Sequence, residues 1–186
     1  MWGSAGVHLR TPAVPHIYKR PRYDLQKNDA ILFADDSNLI TNGNTIANLE
    51  NTINNEIPIL VQWLQTNRLS LNLKKTHIMV FGQSARQVDH QIKIQIEGET
   101  LEVVKHTKFL GLVLDNSLNW KIHTAQISSK IAKSVGIISR ARQLLNAKIL
   151  KQLYYSFLYP YLTYCIIIWG SSSDITLWPI FRIQKR

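Results

Sequence analysis

The feature that most constrains this chain is a pair of adjacent carboxylates, Asp35 and Asp36, between two short apolar runs. Residues 31–33 are apolar and precede the pair, and Leu39 and Ile40 follow it, a pattern that predicts strand, tight turn and strand. Two ionised carboxylates side by side repel each other, so a fixed pair needs a nearby cation, usually a divalent metal. Such a pair suits two-metal nucleotidyl or phosphoryl transfer. Asp is also a common turn residue, so a solvated turn is the alternative.

The composition indicates a globular, basic protein. A hydrophobic fraction of 45% and a charged fraction of 18% argue against disorder, and 186 residues suffice for one buried core or for a core with an appended lobe. The formal net charge of +10 predicts attraction to polyanions, most simply nucleic acid, although it also fits a membrane-surface role. The single cysteine, Cys165, excludes an internal disulfide, and the first residues do not read as a secretory signal. We therefore expect an intracellular protein, in the cytoplasm or nucleus.

The segment before the two aspartates shows no regular pattern. Residues 1–28 contain three prolines among several lysines and arginines, with neither a helical nor a strand period. This predicts an irregular basic arm.

A first amphipathic helix is predicted from Thr45 onwards. Its apolar residues recur at intervals of three and four: Ile46, Leu49, Ile53, Ile57, Leu60 and Leu64. Asn44 or Thr45 is expected to cap its start. Pro58 interrupts the pattern and predicts either a kink or two shorter helices.

Several strands are predicted between residues 76 and 114. Residues 76–81 are expected to form one strand that ends at Gly82, and residues 92–96 and 101–103 alternate on either side of a turn, which predicts a β-hairpin. Residues 109–114 are expected to form a further strand containing Gly111, whose presence suggests close approach of another backbone.

A second helix is predicted from Asn119. Its apolar residues, among them Ile127 and Ile131, fall on one side, and Lys133 and Arg140 fall nearly opposite. These two cations, with Lys130, are expected to contact nucleic-acid phosphates. A solvated basic face is the alternative.

Residues 153–181 are apolar and aromatic, with Asp174 as their one charged residue. Residues 153–170 are almost long enough to span a bilayer. Pro160 and the scattered tyrosines favour instead a buried helix of a helical lobe, with residues 165–168 in its core, so we expect no membrane partner.

The motif around the aspartates resembles the signature of a known family. Phe33 and the Asp35–Asp36 pair resemble the aromatic-x-Asp-Asp signature of reverse transcriptases. Further motifs follow in the order of the second half of the polymerase domain of non-LTR, LINE-type (jockey-like) retrotransposons, and together cover most of residues 30–170. They are Trp63, residues 67–72, Lys75 with Thr76, residues 79–81, residues 108–111, Leu114 with Asp115, Trp120, His123, Tyr164, and Trp169 with Gly170.

This resemblance implies an α+β fold. Residues 29–115 would be a partial polymerase palm, an antiparallel sheet plus a helix, and residues 116–170 an α-helical thumb. Residues 1–28 would form the arm and residues 171–186 a tail.

The resemblance also implies an activity, RNA-directed DNA synthesis by a two-metal mechanism, with Mg²⁺ or Mn²⁺ as cofactor. The implied partners are an RNA template, a DNA primer and deoxynucleotides. Asp35 and Asp36 match the catalytic, metal-binding pair. Lys75 matches a lysine that is a candidate general acid for pyrophosphate departure, although it also suits a solvated loop. Phe109, Leu110 and Gly111 match the primer grip, which supports the end of the primer.

Two parts of the family pattern have no counterpart here. The first catalytic aspartate and the segment that packs on the nucleotide should precede Asp35, and neither is found. We therefore expect an inactive or nearly inactive remnant of a mobile element, because positioning is lost. The alternatives are a non-catalytic, basic nucleic-acid-binding protein and a membrane-associated protein anchored by residues 153–170.

Overall fold

The computed structural model describes residues 3–10, 29–33, 36–82 and 92–185. For residues 3–10, 29–30, 32, 36 and 37 it describes the backbone alone. The structure is 54% helical and 19% strand, which confirms the α+β class. The chain divides into two compact units, Met1–Thr107 and Lys108–Arg186. This division falls before the palm–thumb boundary expected at residue 115.

The first unit contains a five-stranded sheet. Its elements are β1 (Gly3–Arg10), β2 (Asp29–Phe33), β3 (Asp36–Gly43), α1 (Ile46–Thr66), β4 (His77–Phe81), β5 (Gln95–Ile96), β6 (Glu99–Thr100) and β7 (Glu102–Val103). The strand order is β2-β3-β1-β4-β7. The first four strands pair antiparallel with their neighbours, and β7 lies parallel to β4. Strands β5 and β6 form a hairpin at the predicted turn, whereas Glu102 and Val103 of the predicted second hairpin strand pair with β4 instead.

Strand β1 differs from the irregular arm expected for residues 1–28. Residues 3–10 pair with β3 on one side and with β4 on the other. Whether a segment forms a strand depends more on available pairing partners than on its own β-propensity. Without β1, the facing edges of β3 and β4 would lack hydrogen-bond partners. The prolines begin at Pro12, after the strand has ended. Residues 11–28 lie outside the described residues.

Helix α1 covers one face of this sheet. Thr45 caps it, because its side-chain oxygen accepts a hydrogen bond of 3.2 Å from the amide of Asn48. The predicted stripe is confirmed, since Leu49, Ile53, Ile57, Leu60 and Leu64 are buried. The helix continues through Pro58, so the alternative of two shorter helices is wrong. Pro58 removes the amide partner of the Asn54 carbonyl, and both residues are exposed, so this carbonyl lies on the solvent side of the helix.

The core of the first unit lies between α1 and the sheet. Leu39 of β3 and Ile78 and Val80 of β4 pack with the α1 stripe. The alternating residues of the predicted hairpin region close the same core: Ile92, Ile94, Ile96 and Leu101. The sequence periods of this unit therefore predict its core correctly.

The second unit is mainly helical. Strand β8 (His106–Phe109) starts in the last residues of the first unit and ends in the second. It is followed by β9 (Leu112–Asp115), α2 (Lys121–Ala141), α3 (Ala147–Phe157), α4 (Tyr159–Thr163), α5 (Ile166–Trp169) and α6 (Asp174–Gln184). Ile127 and Ile131 of α2 are buried, whereas Lys133 and Arg140 are exposed, which confirms the predicted faces of α2. The second core joins Ile127 and Ile131 with Leu112, Leu158, Trp169 and Ile180.

The single buried helix predicted from residue 153 is wrong. Residues 153–170 are divided among α3, α4 and α5, and Ile167 is 92% exposed instead of buried. Pro160 lies in the first turn of α4, where its missing amide hydrogen costs nothing. Helix α3 is unable to continue through this proline, so a new helix begins there. Cys165 has a left-handed backbone, which separates α4 from α5.

Residues 171–186 contain a helix where a tail was expected. Helix α6 packs on α2, and its Ile180 belongs to the second core. Leu177 and Ile183 of α6 also pack against that core. None of the helices in the described part of the chain is long and apolar enough to cross a membrane.

Candidate functional site

Asp36 is the first residue of β3, whereas Asp35 lies outside the described residues. Strands β2 and β3 pair antiparallel on either side of residues 34–35, which confirms the two strands predicted around the aspartates. The register places Asp36 opposite Phe33 of β2 and opposite Arg10 of β1. Asp36 therefore lies at the end of the sheet where β2 ends and β3 begins.

Strand β1 brings no carboxylate next to Asp36. Its sequence contains neither Asp nor Glu, and the residue opposite Asp36 is Arg10. Among the described residues no group of three His, Cys, Asp or Glu side chains is placed to hold a metal. Asp35 and the side chain of Asp36 lie outside the described part of the chain, so metal binding by this pair stays a prediction.

The sheet face away from α1 is partly open. Leu39 points into the core, so the residues on either side of it, Asn38 and Ile40, belong to the opposite face. Ile31 and Phe33 of β2 are 46% and 58% exposed. An apolar surface therefore adjoins the hairpin that carries Asp36.

Lys75 ends a short 3-10 turn, Leu73–Lys75, just before β4. Its side chain is exposed, and its carbonyl oxygen lies 3.2 Å from Nδ1 of His77. Because β1 is antiparallel to both β3 and β4, those two strands start at the same end of the sheet. Lys75 therefore lies at the sheet end that holds Asp36, and its catalytic role stays a prediction.

The predicted strand over residues 109–114 is wrong, because Gly111 lies in a turn. Leu110 and Gly111 join β8 to β9, with φ angles of 44° and 87°. Two consecutive left-handed residues are typical of the tight two-residue hairpin turn. This backbone suits a glycine, which has no Cβ to clash. Phe109 ends β8, so the three residues predicted to grip the primer form a hairpin tip.

Tyr164 fastens this tip to the helices. Its hydroxyl donates a hydrogen bond to the carbonyl oxygen of Leu110, 54 residues earlier. A Cβ on Gly111 would lie 3.3 Å from the Tyr164 ring, so the two approach closely. Desolvation raises the pKa of Tyr164, and the neighbouring Cys165 raises it further, so the hydroxyl keeps its proton. Nε1 of Trp169 donates to the Tyr164 carbonyl oxygen at 2.8 Å and fixes its backbone.

Asp115 organises the turn that leads from β9 into α2. Its side chain is buried and accepts hydrogen bonds from three backbone amides. Oδ1 accepts from Ser117 at 3.0 Å and from Asn119 at 3.3 Å, and Oδ2 accepts from Trp120 at 3.1 Å. This carboxylate has a structural use, since its hydrogen bonds all go to the local backbone.

His123 is buried next to this turn. Its Nδ1 accepts a hydrogen bond of 3.2 Å from the amide of Val113, which leaves the proton on Nε2. The imidazole meets the rings of Trp120 and Trp169 edge-on, at centroid distances of 6.0 and 5.8 Å. Burial lowers the pKa of His123, and the charge of Lys130 lowers it further. The imidazole is therefore neutral in the folded chain.

The lowered pKa of His123 predicts a pH-dependent stability. Between the lowered pKa of the folded chain and the ordinary pKa of 6.5, the unfolded chain binds a proton at His123 that the folded chain does not. The free energy of unfolding therefore falls as the pH drops below 6.5 and levels off above it, with a slope of at most about 1.4 kcal/mol per pH unit. Urea unfolding between pH 5 and pH 8 measures this dependence.

His123→Gln is expected to flatten this pH dependence, because it removes the group whose pKa differs between the folded and unfolded chain. Equal slopes in the wild type and the His123 variant would show that another group is responsible.

Comparison with known proteins adds no relative. No family model, curated protein or solved structure matches the chain. The structure joins seven residues of the motifs that carry the resemblance in one hydrogen-bonded and aromatic group. We name it the motif cluster: Leu110, Gly111, Asp115, Trp120, His123, Tyr164 and Trp169. Of these residues, Asp115 is the one whose role in a turn could have been predicted from the sequence. It ends an apolar strand and precedes Asn116 and Ser117, which are common turn residues.

The cations predicted to bind nucleic acid are on the surface of α2. Lys130, Lys133 and Arg140 are exposed. Nζ of Lys130 lies 5.4 Å from the ring centroid of Tyr161, and Nε of Arg140 donates to the carbonyl of Gly136. Residues 108–185 contain ten lysines and arginines but only two carboxylates, of which one, Asp115, is buried. The surface of the second unit is therefore strongly positive, as a polyanion-binding surface requires.

Proposed function

We propose that this chain is a fragment of the RNA-directed DNA polymerase of a non-LTR mobile element, which binds nucleic acid but does not catalyse synthesis alone. The observation that carries this proposal is the position of Asp36 in the sheet. Asp36 opens the second strand of a hairpin, directly after an aromatic residue and a short turn segment, and β1 flanks it. The aromatic-x-Asp-Asp signature implies that position.

The topology around Asp36 supports a partial palm. Helix α1 connects β3 to β4, and β1 lies between those two strands and antiparallel to both. This is a split β-α-β unit, a motif in which one further strand separates the two parallel ones. An antiparallel sheet covered by a helix is what the resemblance implies for a palm.

The second unit supports a thumb that holds nucleic acid. It is helical and positively charged, and the hairpin tip of residues 109–111 is anchored to its helices by Tyr164. In the intact family, this hairpin would support the primer end and the cations of α2 would contact phosphates. RNA template, DNA primer and deoxynucleotides are the proposed partners of the intact enzyme.

The expected inactivity follows from the residue opposite Asp36. Two-metal transfer needs carboxylates that hold both metals in line with the reacting phosphate, and β1 offers Arg10 at the position beside Asp36. Asp35 and Asp36 would bind Mg²⁺ or Mn²⁺ in the intact enzyme, and Lys75 would donate a proton to pyrophosphate. Without a third carboxylate at this position of β1, the positioning that gives catalysis its rate is lost.

A second candidate is a basic nucleic-acid-binding protein without polymerase ancestry. The charge of the second unit favours it, because a phosphate backbone binds any dense set of cations in a salt-dependent way. This candidate predicts equal affinity for every duplex of similar length. The polymerase fragment predicts a preference for a recessed primer end.

The test measures binding and synthesis on the same substrate. Fluorescence anisotropy with an RNA template annealed to a shorter DNA primer is expected to show affinity that falls as salt rises from about 50 to 200 mM. Lys133→Glu with Arg140→Glu is expected to lower the affinity about tenfold or more, since two attractive charges become repulsive. Primer extension with Mg²⁺ and deoxynucleotides is expected to give no product.

The matched control is Lys93→Glu with Lys105→Glu, which makes the same change in net charge on the first unit. It is expected to weaken binding less. Absence of binding at 50 mM salt would contradict the proposal. Extension by the wild type but not by the Asp35→Asn, Asp36→Asn variant would show a complete catalytic site and contradict the expected inactivity.

A further inference from the structure

The tip of the β8–β9 hairpin has one peptide group whose direction is fixed from outside the hairpin. This is the peptide that joins Leu110 to Gly111, and its carbonyl oxygen accepts the hydroxyl of Tyr164. A peptide bond is planar and trans, so its C=O and N–H point in opposite directions. The amide N–H of Gly111 is therefore directed away from Tyr164.

Tyr164 itself is held in place from two sides. Its carbonyl oxygen binds the indole N–H of Trp169, which is 2% exposed. Trp169 in turn contacts His123, and His123 binds the amide of Val113 in β9. The hairpin is thus fastened at its tip by Tyr164 and two residues further on by His123.

The Tyr164 hydrogen bond contributes little to folding stability. Tyr164 is 51% exposed, so both the hydroxyl and the Leu110 carbonyl would be hydrated if they separated. An exposed hydrogen bond between residues 54 positions apart is better explained by the geometry it imposes on the tip.

We propose that Tyr164 is a positioning residue that aims the amide N–H of Gly111 at a backbone phosphate near the primer's 3′ end. Backbone amides are common donors to nucleic-acid phosphates, and such contacts fix the register of the bound strand. Gly111 suits this task because it is exposed and because a Cβ there would lie only 3.3 Å from the Tyr164 ring, a tight contact. The inference rests on the proposed function, in which residues 109–111 contact the primer strand.

The test compares Tyr164→Phe with Tyr155→Phe. Tyr155 is also 51% exposed, and its ring contacts Tyr154 and Tyr159. Tyr164→Phe is expected to lower the affinity for a recessed-end primer–template about three- to tenfold and to leave the affinity for a blunt duplex unchanged. Tyr155→Phe is expected to change neither.

A second measurement separates positioning from a general structural role. A set of primers is prepared, each with a single neutral methylphosphonate at a different one of the last few linkages. The primer in which the phosphate that Gly111 contacts is replaced is expected to bind the wild type and Tyr164→Phe equally, because this contact is already lost. Such non-additivity is the sign of a shared interaction. A merely structural defect would lower the affinity for every primer by the same factor.

A third variant covers the case in which Tyr164→Phe perturbs folding, which circular dichroism detects. Gly111→Ala strains the left-handed turn and places a Cβ against the Tyr164 ring, so it is expected to lose the same end preference. Equal end preference in the wild type and in both tip variants would overturn the inference. So would a wild type that binds duplexes without preferring a recessed end. A wild type that binds no nucleic acid would overturn the proposed function as well.

Discussion

Trp169→Ala is expected to destabilise the second unit by about 3–5 kcal/mol, the usual cost of removing a buried aromatic side chain. Trp169 is 2% exposed and belongs to the second core with residues of α2 and α6. The substitution also removes the indole donor to Tyr164 and the ring that contacts His123. Urea unfolding followed by far-ultraviolet circular dichroism measures the loss.

The matched control for this prediction is Trp178→Ala. Trp178 lies on α6 and is 60% exposed, so its removal is expected to cost less than about 1 kcal/mol. A loss at Trp169 no larger than the loss at Trp178 would mean that the second core is not packed as described. A loss of tryptophan fluorescence alone does not decide the matter, because both variants lack one tryptophan.

Ile53→Ala is expected to destabilise the first unit by about 2–5 kcal/mol. Ile53 is fully buried in the middle of α1 and packs with the strand residues of the first core. The cost combines the lost burial of apolar surface with the cavity left behind. Urea unfolding gives the free energy, and amide hydrogen exchange in α1 shows whether the loss falls on this helix.

Ile59→Ala provides the comparison on the same helix. Ile59 is 47% exposed, so the same change of side chain is expected to cost well under half as much. Equal effects at Ile53 and Ile59 would contradict the orientation of α1 on the sheet.

Local patterns in the sequence predicted the parts of the fold that are set by short-range periods. The stripe of α1, its cap at Thr45, the faces of α2 and the turn between β5 and β6 all follow from residues fewer than eight positions apart. In these segments the apolar period and the preferences of the cap or turn residues point to the same structure.

The errors occurred where partners distant in the sequence decide the structure. Residues 3–10 have no strand period of their own, and their conformation comes from pairing with β3 and β4. Residues 166–168 were expected in the core because they are apolar, yet their helix, α5, is four residues long and leaves them exposed. Apolar composition alone gave no direction for those side chains.

The candidate site was predictable in its residue types but not in its contacts. The position of Asp36 after a strand and a turn was predicted from its neighbours, and the exposed cations of α2 from the helical period. The Tyr164 hydrogen bond to Leu110 and the contact of His123 with Trp169 join residues 54 and 46 positions apart. No local pattern encodes such pairs, and the resemblance supplied only their identity.

The central place of β1 has a consequence for how the first unit folds. Its register with β4 joins Ser4 to Phe81, 77 residues apart, and both neighbours of β1 follow it in the sequence. Closing so long a loop costs chain entropy before any sheet contact repays it, and long-range strand pairing is slow for that reason. While β1 remains undocked, the facing edges of β3 and β4 stay unpaired and open to other chains. The time this strand takes to insert thus sets how long a newly made chain is exposed to aggregation.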